Sequence, residues 1–191
     1  MRINEIFYSI QGEGYRTGAP TIFVRLAGCS MRCEWCDTKY AWDKGKEMSI
    51  RSIINEIEKY NCNWVCITGG EPMEQSESVK ELTTLLKGLR YMVQLETNGS
   101  LPIVGHFDWI TVSPKKFWCD SAISVADEIK LVITCKEDLK RIDKFKMFHV
   151  KHFYLQPKDN DLELAKLCYD YILKNPFLKL NLQIQKILNI K

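Results

Sequence analysis

Short runs rich in β-branched and aromatic residues alternate along this chain with stretches whose apolar residues recur at helical spacing. Thr21-Ile22-Phe23-Val24-Arg25-Leu26 reads as a strand leading into a polar, cysteine-rich loop. Ser49 is placed to N-cap a helix in which Ile53, Ile54 and Ile57 make one apolar face. Residues 64–68 predict a second strand that ends at Gly69-Gly70. Val79, Leu82, Leu85 and Leu86 then mark a helix, and residues 91–96 a strand stopped by Asn98-Gly99. Further strands are predicted at 109–112, 128–133, 153–156 and 180–184. A helix through Leu162, Ala165, Cys168 and Ile172 separates the last two, with Pro176 just beyond its end. Strands separated by helical patterns argue for parallel βαβ units. A closed eightfold barrel takes about 250 residues. With 191 residues and several connections too brief for full helices, the chain predicts an α/β fold, an incomplete TIM-type barrel of mainly parallel strands, in a single domain over residues 1–191.

Polar or glycine-containing motifs follow these strands at their C-terminal ends: the cysteine loop, Gly69-Gly70-Glu71-Pro72, Thr97-Asn98-Gly99, Ser113-Pro114-Lys115 and Gln156-Pro157. In parallel sheets that edge is where sites are built, so five motifs are expected to converge on one mouth. Arg25, flanked by Val24 and Leu26, alternates onto the opposite face of its strand and is expected to point inward.

Three of the eight cysteines fall within eight residues, in Cys29-Ser30-Met31-Arg32-Cys33-Glu34-Trp35-Cys36. Thiolates at x3/x2 spacing can point inward from one loop onto a metal centre, and three ligands leave one position of a cubane free for a reacting molecule. Alternatives at this point are a zinc site completed by Cys119, His106, His149 or His152, or cysteines that are small core residues. Gly-Gly-Glu-Pro by itself is compatible with an ordinary strand-end turn. Cys62-x3-Cys66 has ligand-like spacing too, but Trp64, Val65 and Ile67 make it a strand, and Cys66 and Cys168 read as core.

Composition narrows the class further. Hydrophobic residues are 46% and charged residues 27%, and the formal net charge is +3, too small to argue for a nucleic-acid or membrane surface. No run approaches the ~18 apolar residues of a membrane span. Met1-Arg2-Ile3-Asn4-Glu5 lacks a secretory pattern, and clustered thiols suit a reducing compartment; the expected location is the cytoplasm.

The Cys-x3-Cys-x2-Cys loop, with Trp35 before its last cysteine, resembles the radical S-adenosylmethionine (SAM) superfamily. Gly69-Gly70-Glu71-Pro72 is similar to the motif that meets the methionine amino group of SAM there. Ser9-Ile10-Gln11-Gly12-Glu13-Gly14, Phe23 to Cys29, Trp35-Cys36-Asp37-Thr38-Lys39, Ile67 to Pro72, Glu96-Thr97-Asn98-Gly99, Val112-Ser113-Pro114-Lys115, Asp127-Glu128-Ile129-Lys130, Leu155-Gln156-Pro157 and Leu182-Gln183-Ile184-Gln185-Lys186 together resemble the 7-carboxy-7-deazaguanine synthase (QueE) family, in its order and over almost the whole chain. One departure is Gln185, where relatives usually carry His.

The resemblance implies a [4Fe–4S] cluster on Cys29, Cys33 and Cys36, SAM on its open iron, and Mg2+ on Thr38. The implied reaction converts 6-carboxy-5,6,7,8-tetrahydropterin to 7-carboxy-7-deazaguanine with loss of ammonia, a step towards queuosine-type tRNA modification. It further implies SAM contacts from Trp35, Cys36, Asp37, Gly70, Glu71, Ser113, Pro114, Lys115 and Gln156, and substrate contacts from Ile10, Gln11, Gly12, Glu13, Arg25 and Thr68. The implied partners are the small-molecule substrate, an electron donor such as flavodoxin or ferredoxin, and a second copy of the chain in a homodimer, with no direct nucleic acid and no membrane. Rival readings are another small radical SAM enzyme, such as a glycyl-radical activase, and a non-catalytic zinc or iron–sulfur module.

Overall fold

The structure is a computed structural model that describes residues 1–191. Nine strands form one open sheet: β1 (Arg2–Ile10), β2 (Pro20–Leu26), β3 (Lys46–Glu47), β4 (Trp64–Gly69), β5 (Met92–Thr97), β6 (Trp109–Val112), β7 (Glu128–Ile133), β8 (His152–Pro157) and β9 (Leu178–Leu180). Their spatial order is β3-β1-β2-β4-β5-β6-β7-β8-β9. Neighbouring strands from β2 through β9 pair in parallel, whereas β1 joins β2 and β3 in antiparallel fashion. The predicted incomplete barrel is the architecture observed: the sheet does not close.

Alternation along the parallel strands sorts side chains onto two different faces. Ile22, Val24 and Leu26 of β2, Val65 and Ile67 of β4, and Val93 and Leu95 of β5 pack with Ile53 and Ile57 of helix α1 (Ile50–Ile57) and Val79, Leu82 and Leu86 of α2 (Ser76–Gly88). Ile129, Leu131 and Ile133 of β7 and Phe153 and Leu155 of β8 form a second core with Ile142, Phe145 and Cys168. The intervening residues (Arg25, Thr68, Gln94, Glu96, Glu128, Lys130 and Gln156 among them) turn to the other side. Most of these are buried too, so the strands are covered on both faces, apolar towards the helices and polar on the inside.

Ser49 caps α1 as its sequence predicts, accepting from the Ser52 amide at 3.1 Å, and Asp161 caps α4 (Leu162–Ile172) by accepting from the Leu164 amide at 2.9 Å. The crossovers shorten after β5: a helix-free connection leads to β6, then comes the five-residue α3 (Asp120–Ser124), and a 3-10 segment, Lys136–Lys144, leads to β8. Cys66 and Cys168 are fully buried, as expected of core residues. No helix is long and apolar enough to cross a membrane.

Two departures from the sequence reading have identifiable causes. Strand β1 lacks a clean period-two signature because its register shifts between Ile3 and Glu5, a bulge that breaks the alternation. The run 180–184, expected as a strand, pairs with β8 only through β9 and the Asn181 amide, which donates to Leu155 O at 2.9 Å. There the chain leaves the sheet. The Gln183 amide donates instead to Asn160 Oδ1 at 2.8 Å, and the short helix α5 (Ile184–Ile187) follows.

Leu95 is fully buried at the centre of the first core. Leu95→Ala is expected to cost about 2–5 kcal/mol, read as a lowered urea midpoint with an unchanged slope.

Candidate active site

The polar interior opens into a cavity of about 230 Å3 at the C-terminal ends of the parallel strands. Its lining draws on every strand-end motif expected to converge: Trp35, Cys36, Asp37 and Thr38 after β2; Gly69 and Gly70 at the end of β4; Thr97 and Asn98 at the end of β5; Ser113 and Lys115 after β6; and Gln156 on β8. Ile10, Gln11, Gly12, Glu13, Arg25 and Thr68 line it as well. Phe7 and Phe23 add a stacked ring pair, with centroids 4.9 Å apart.

The glycine pair sets how closely the cysteine loop approaches β4. Gly69 has φ +143°, and a Cβ there would lie 2.3 Å from Leu26 O; a Cβ on Gly70 would lie 1.8 Å from Gly28 O and 3.0 Å from the Cys29 side chain. Without those side chains the Gly70 amide donates to Leu26 O at 3.0 Å and the Glu71 amide to Gly28 O at 2.8 Å, seating the loop directly on the strand end.

Glu71 does not enter the cavity lining. Its carboxylate is 1% exposed and accepts from the Met73 amide (2.9 Å), the Thr97 hydroxyl (2.6 Å) and the Asn98 amide (2.8 Å), tying the β4 turn to the β5 turn. Burial pushes its pKa up despite these donors. Pro114 also lies outside the lining; its carbonyl, with that of Lys115, accepts from Arg141, which fixes the turn.

Inside the cavity, polar groups pair with one another. Gln11 Nε2 donates to Glu96 Oε1 at 2.9 Å, and Thr68 Oγ1 to Glu96 Oε2 at 3.0 Å. Glu13 forms an ion pair with Lys130 and also accepts from the side-chain amides of Gln183 and Gln185, each at 2.8 Å. Burial works against the charge of both ion-pair members, yet their mutual attraction outweighs it: the Glu13 carboxyl is held below its usual pKa and the Lys130 ammonium above. Gln183 Nε2 also donates to Asp37 Oδ2 at 2.8 Å, and Lys186 Nζ lies 3.0 Å from that oxygen. Burial opposes ionisation of Asp37, but Gln183, Lys186 and Thr38 override it and hold the carboxyl well below the usual range. Lys115 lies over the Trp35 ring, Nζ 4.8 Å from its centroid, and donates to Ser113 Oγ at 2.6 Å; burial and neighbouring Lys130 push its pKa down to about 8.

All three loop cysteines are free and partly exposed. Burial pushes the Cys29 and Cys33 thiols up, so a metal centre bound there displaces protons. No three Cys, His, Asp or Glu side chains converge on a single-ion position. The thiolates of a cubane each take a different iron, so three free thiols on one loop, seated against a backbone without side chains, suit the cluster and leave room beside it.

Comparison with known proteins agrees with this geometry. Residues 23–117, from β2 through Ser113-Pro114-Lys115, match the family model of the radical SAM superfamily. A 7-carboxy-7-deazaguanine synthase of Bacteroides thetaiotaomicron is 36% identical over 190 residues, covering 100% of this chain and 98% of that protein. The chain belongs to the 7-carboxy-7-deazaguanine synthase family. A second member, from Buchnera aphidicola subsp. Schizaphis graminum, is 37% identical with 99% and 98% coverage. The crystal structure of QueE from Escherichia coli superposes with a TM-score of 0.86 at 30% identity, covering 96% of this chain and 93% of that one. Radical SAM enzymes use a [4Fe–4S] cluster and SAM, and the cysteine loop, Gly70 and the cavity are consistent with both.

Several lining residues are absent from the set expected by motif. Glu96, Lys130, Gln183 and Gln185 belong to motifs of the family, but only the fold shows them facing the cavity; Asp159 lies in none of those motifs. A charge inside an otherwise apolar strand run, as in Met92-Val93-Gln94-Leu95-Glu96 and Glu128-Ile129-Lys130-Leu131, is the signal that could have found the first two, because such a charge is stable only when paired or facing a polar cavity.

Glu71→Ala leaves three buried donors without an acceptor and is expected to cost about 3 kcal/mol in denaturant unfolding. Glu71→Gln keeps an acceptor oxygen and should lose less. Gly70→Ala must displace the Gly28 carbonyl, so anaerobic reconstitution should give less iron and sulfide per chain than wild type.

Proposed function

We propose that this chain catalyses the SAM- and Mg2+-dependent rearrangement of 6-carboxy-5,6,7,8-tetrahydropterin to 7-carboxy-7-deazaguanine with loss of ammonia, as a cytoplasmic homodimer. The observation that carries this reading is the joining, in one cavity, of the cysteine loop's Cys36 and Thr38, Gly70, Arg25 and the Gln11–Glu13 turn, in a family whose members bear that synthase's name over nearly their full length.

Cys29, Cys33 and Cys36 would hold the cluster, which with SAM would supply one-electron reduction and radical chemistry. The protein's own part is orientation, charge balance and exclusion of water. Arg25 is the partner for the substrate carboxylate: Glu5 Oε1 accepts from its Nε at 3.0 Å, which leaves the terminal nitrogens of its fork free to bind bidentately. Gln11, Glu13 and Thr68 offer donors and acceptors to the amide and amino edges of a pterin, with Glu96 and Lys130 fixing their orientation. Ser113, Lys115 and Gln156 face the cavity where SAM would extend, and Trp35 and Asp37 flank it.

Thr38 would hold Mg2+ through its hydroxyl. The Asp37 carboxylate beside it already accepts from Thr38 Oγ1 at 3.0 Å and from Gln183, so it orients the threonine and adds negative charge. A hard cation with few protein ligands, completed by substrate carboxylate and water, fits such a set. A glycyl-radical activase would share the cysteine loop but has no use for a Gln11–Glu96–Thr68 and Glu13–Lys130 lining suited to a flat, hydrogen-bonding heterocycle.

Anaerobic incubation of reconstituted protein with SAM, dithionite, Mg2+ and 6-carboxytetrahydropterin, read by mass spectrometry, tests the function. The 7-carboxy-7-deazaguanine mass is expected; SAM cleavage without it would count against this substrate. Cys33→Ala should abolish both cluster and turnover. Thr38→Ala should retain iron and the visible cluster band while losing most of the Mg2+ stimulation, and full metal-dependent activity in that variant would remove Thr38 from the metal site.

A further inference from the structure

The end of the interior opposite the mouth is closed by the loop that joins β1 to β2. Trp64, Trp109, Glu128 and His152 are the first residues of β4, β6, β7 and β8, so parallel pairing gathers them at the N-terminal edge of the sheet. Tyr15 and Arg16, at the tip of the loop, cover them. The Tyr15 ring stacks on Trp109 and on His152, each with centroids 4.7 Å apart, and its amide donates to Glu128 Oε2 at 2.8 Å. The Arg16 guanidinium lies 3.6 Å from the centre of the Trp64 ring, and its Nη1 donates to Thr21 Oγ1 at 3.2 Å and to Gln94 Oε1 at 3.3 Å. The neck of the loop is fastened too: the Gln11 amide donates to Ala19 O at 2.8 Å and the Gly18 amide to Gln11 O at 2.7 Å. Neither Tyr15 nor Arg16 lines the substrate cavity, and Tyr15 is 58% exposed on the far side of the molecule.

We infer that Tyr15 and Arg16 are positioning residues for the pterin, acting through Gln11 and Glu13 on the same loop. The inference rests on the synthase reading and deepens it by naming what fixes the groups that recognise the substrate. Only Gly14 separates Glu13 from Tyr15, and the Gly14 amide donates to Asn181 Oδ1 at 2.7 Å. Asn181 Nδ2 in turn donates to Gln156 Oε1 at 2.6 Å, on the cavity wall. Gln94 Oε1 accepts from Gln11 Nε2 at 3.4 Å as well as from Arg16, so the floor and the cavity share one oxygen. A shift of the tip therefore carries the Gln11 amide and the Glu13 carboxylate with it. Hydrogen bonds to a flat heterocycle weaken steeply with such misplacement. The contacts are made by the Tyr15 ring and backbone, not by its hydroxyl, and by the flat face of Arg16. A residue that served stability alone at this end of the sheet would affect every ligand equally; these two should act on the pterin.

The probe is 6-carboxypterin, the fluorescent oxidised form of the substrate, added to reconstituted holoenzyme with SAM and Mg2+. Tyr15→Ala should raise its Kd, read by fluorescence anisotropy, about tenfold. KM for 6-carboxytetrahydropterin should rise by a similar factor while kcat changes less than about threefold, the pattern of lost uniform binding. Iron per chain, KM for SAM and dithionite-driven SAM cleavage without substrate should stay within about twofold of wild type. Tyr15→Phe should keep the wild-type Kd and KM, and Arg16→Lys, which keeps the charge but loses the flat stack, should give an intermediate rise. Deuterium exchange of residues 10–19 should accelerate in Tyr15→Ala while that of the cysteine loop does not. Tyr8→Ala, which removes an exposed β1 ring stacked on Tyr60, should change none of these readings. Should Tyr15→Ala not fold, Tyr15→Leu carries the same expectations. A wild-type Kd in the Tyr15 variant would overturn the proposal, as would equal losses of 6-carboxypterin binding and SAM cleavage. Failure of the wild-type enzyme to bind 6-carboxypterin would sink the synthase reading instead, and the exchange arm would still decide whether Tyr15 anchors the loop.

Discussion

The constraint from which the structure follows is that its parallel strands are buried on both faces by different kinds of surface. One set of alternate residues meets the helices and is aliphatic; the other faces a polar cavity that opens at the strand ends. Charges there are paired or hydrogen-bonded: Glu13 pairs with Lys130, Glu96 accepts from Gln11 and Thr68, Glu128 accepts from Thr111 and the Tyr15 amide, and Lys115 donates to Ser113. The same interior polarity that would penalise an ordinary core gives this one a shaped set of donors and acceptors facing the strand ends.

Two local devices bring the chemistry to that edge. The Gly69-Gly70 pair removes the side chains that would hold the cysteine loop away from β4, so backbone hydrogen bonds seat the loop on the strand end, with Glu74 accepting from the Ser30 amide as a further anchor. Glu71, whose carboxylate lies away from the cavity, binds two neighbouring strand-end turns together. The family motif thus divides its work. Its glycines permit approach, and its acid supplies rigidity.

Much of this was legible in the sequence. Strands marked by β-branched runs were found to within a residue or two, and the motifs after them did converge, because parallel topology places every strand's C-terminal end at the same edge. Arg25 reached the cavity as alternation required. The failures have physical causes. The bulge between Ile3 and Glu5 hides β1 from a period-two reading, and side-chain bonds from Asn160 pull 183 out of the sheet where apolar spacing suggested that a strand continues. The motif names Glu71 but does not show that its carboxylate ties two strand-end turns together, because its partners Thr97 and the Asn98 amide come from the end of the next strand. The Gln183 bridge was invisible because its partners lie 146 and 170 positions away, beyond any local pattern.

That bridge bears on how the protein is made. Strands laid down in order can pair with their predecessors as translation proceeds, since β4 pairs with β2 and each strand from β5 onward pairs in parallel with the one synthesised just before it. The amide that joins the Asp37 loop to the Glu13 turn emerges only after α4 and β9. A nascent chain can therefore own its scaffold and its cysteines while its pocket is still electrostatically unfinished, and iron acquired during that interval would sit beside a loop not yet fastened on its substrate side.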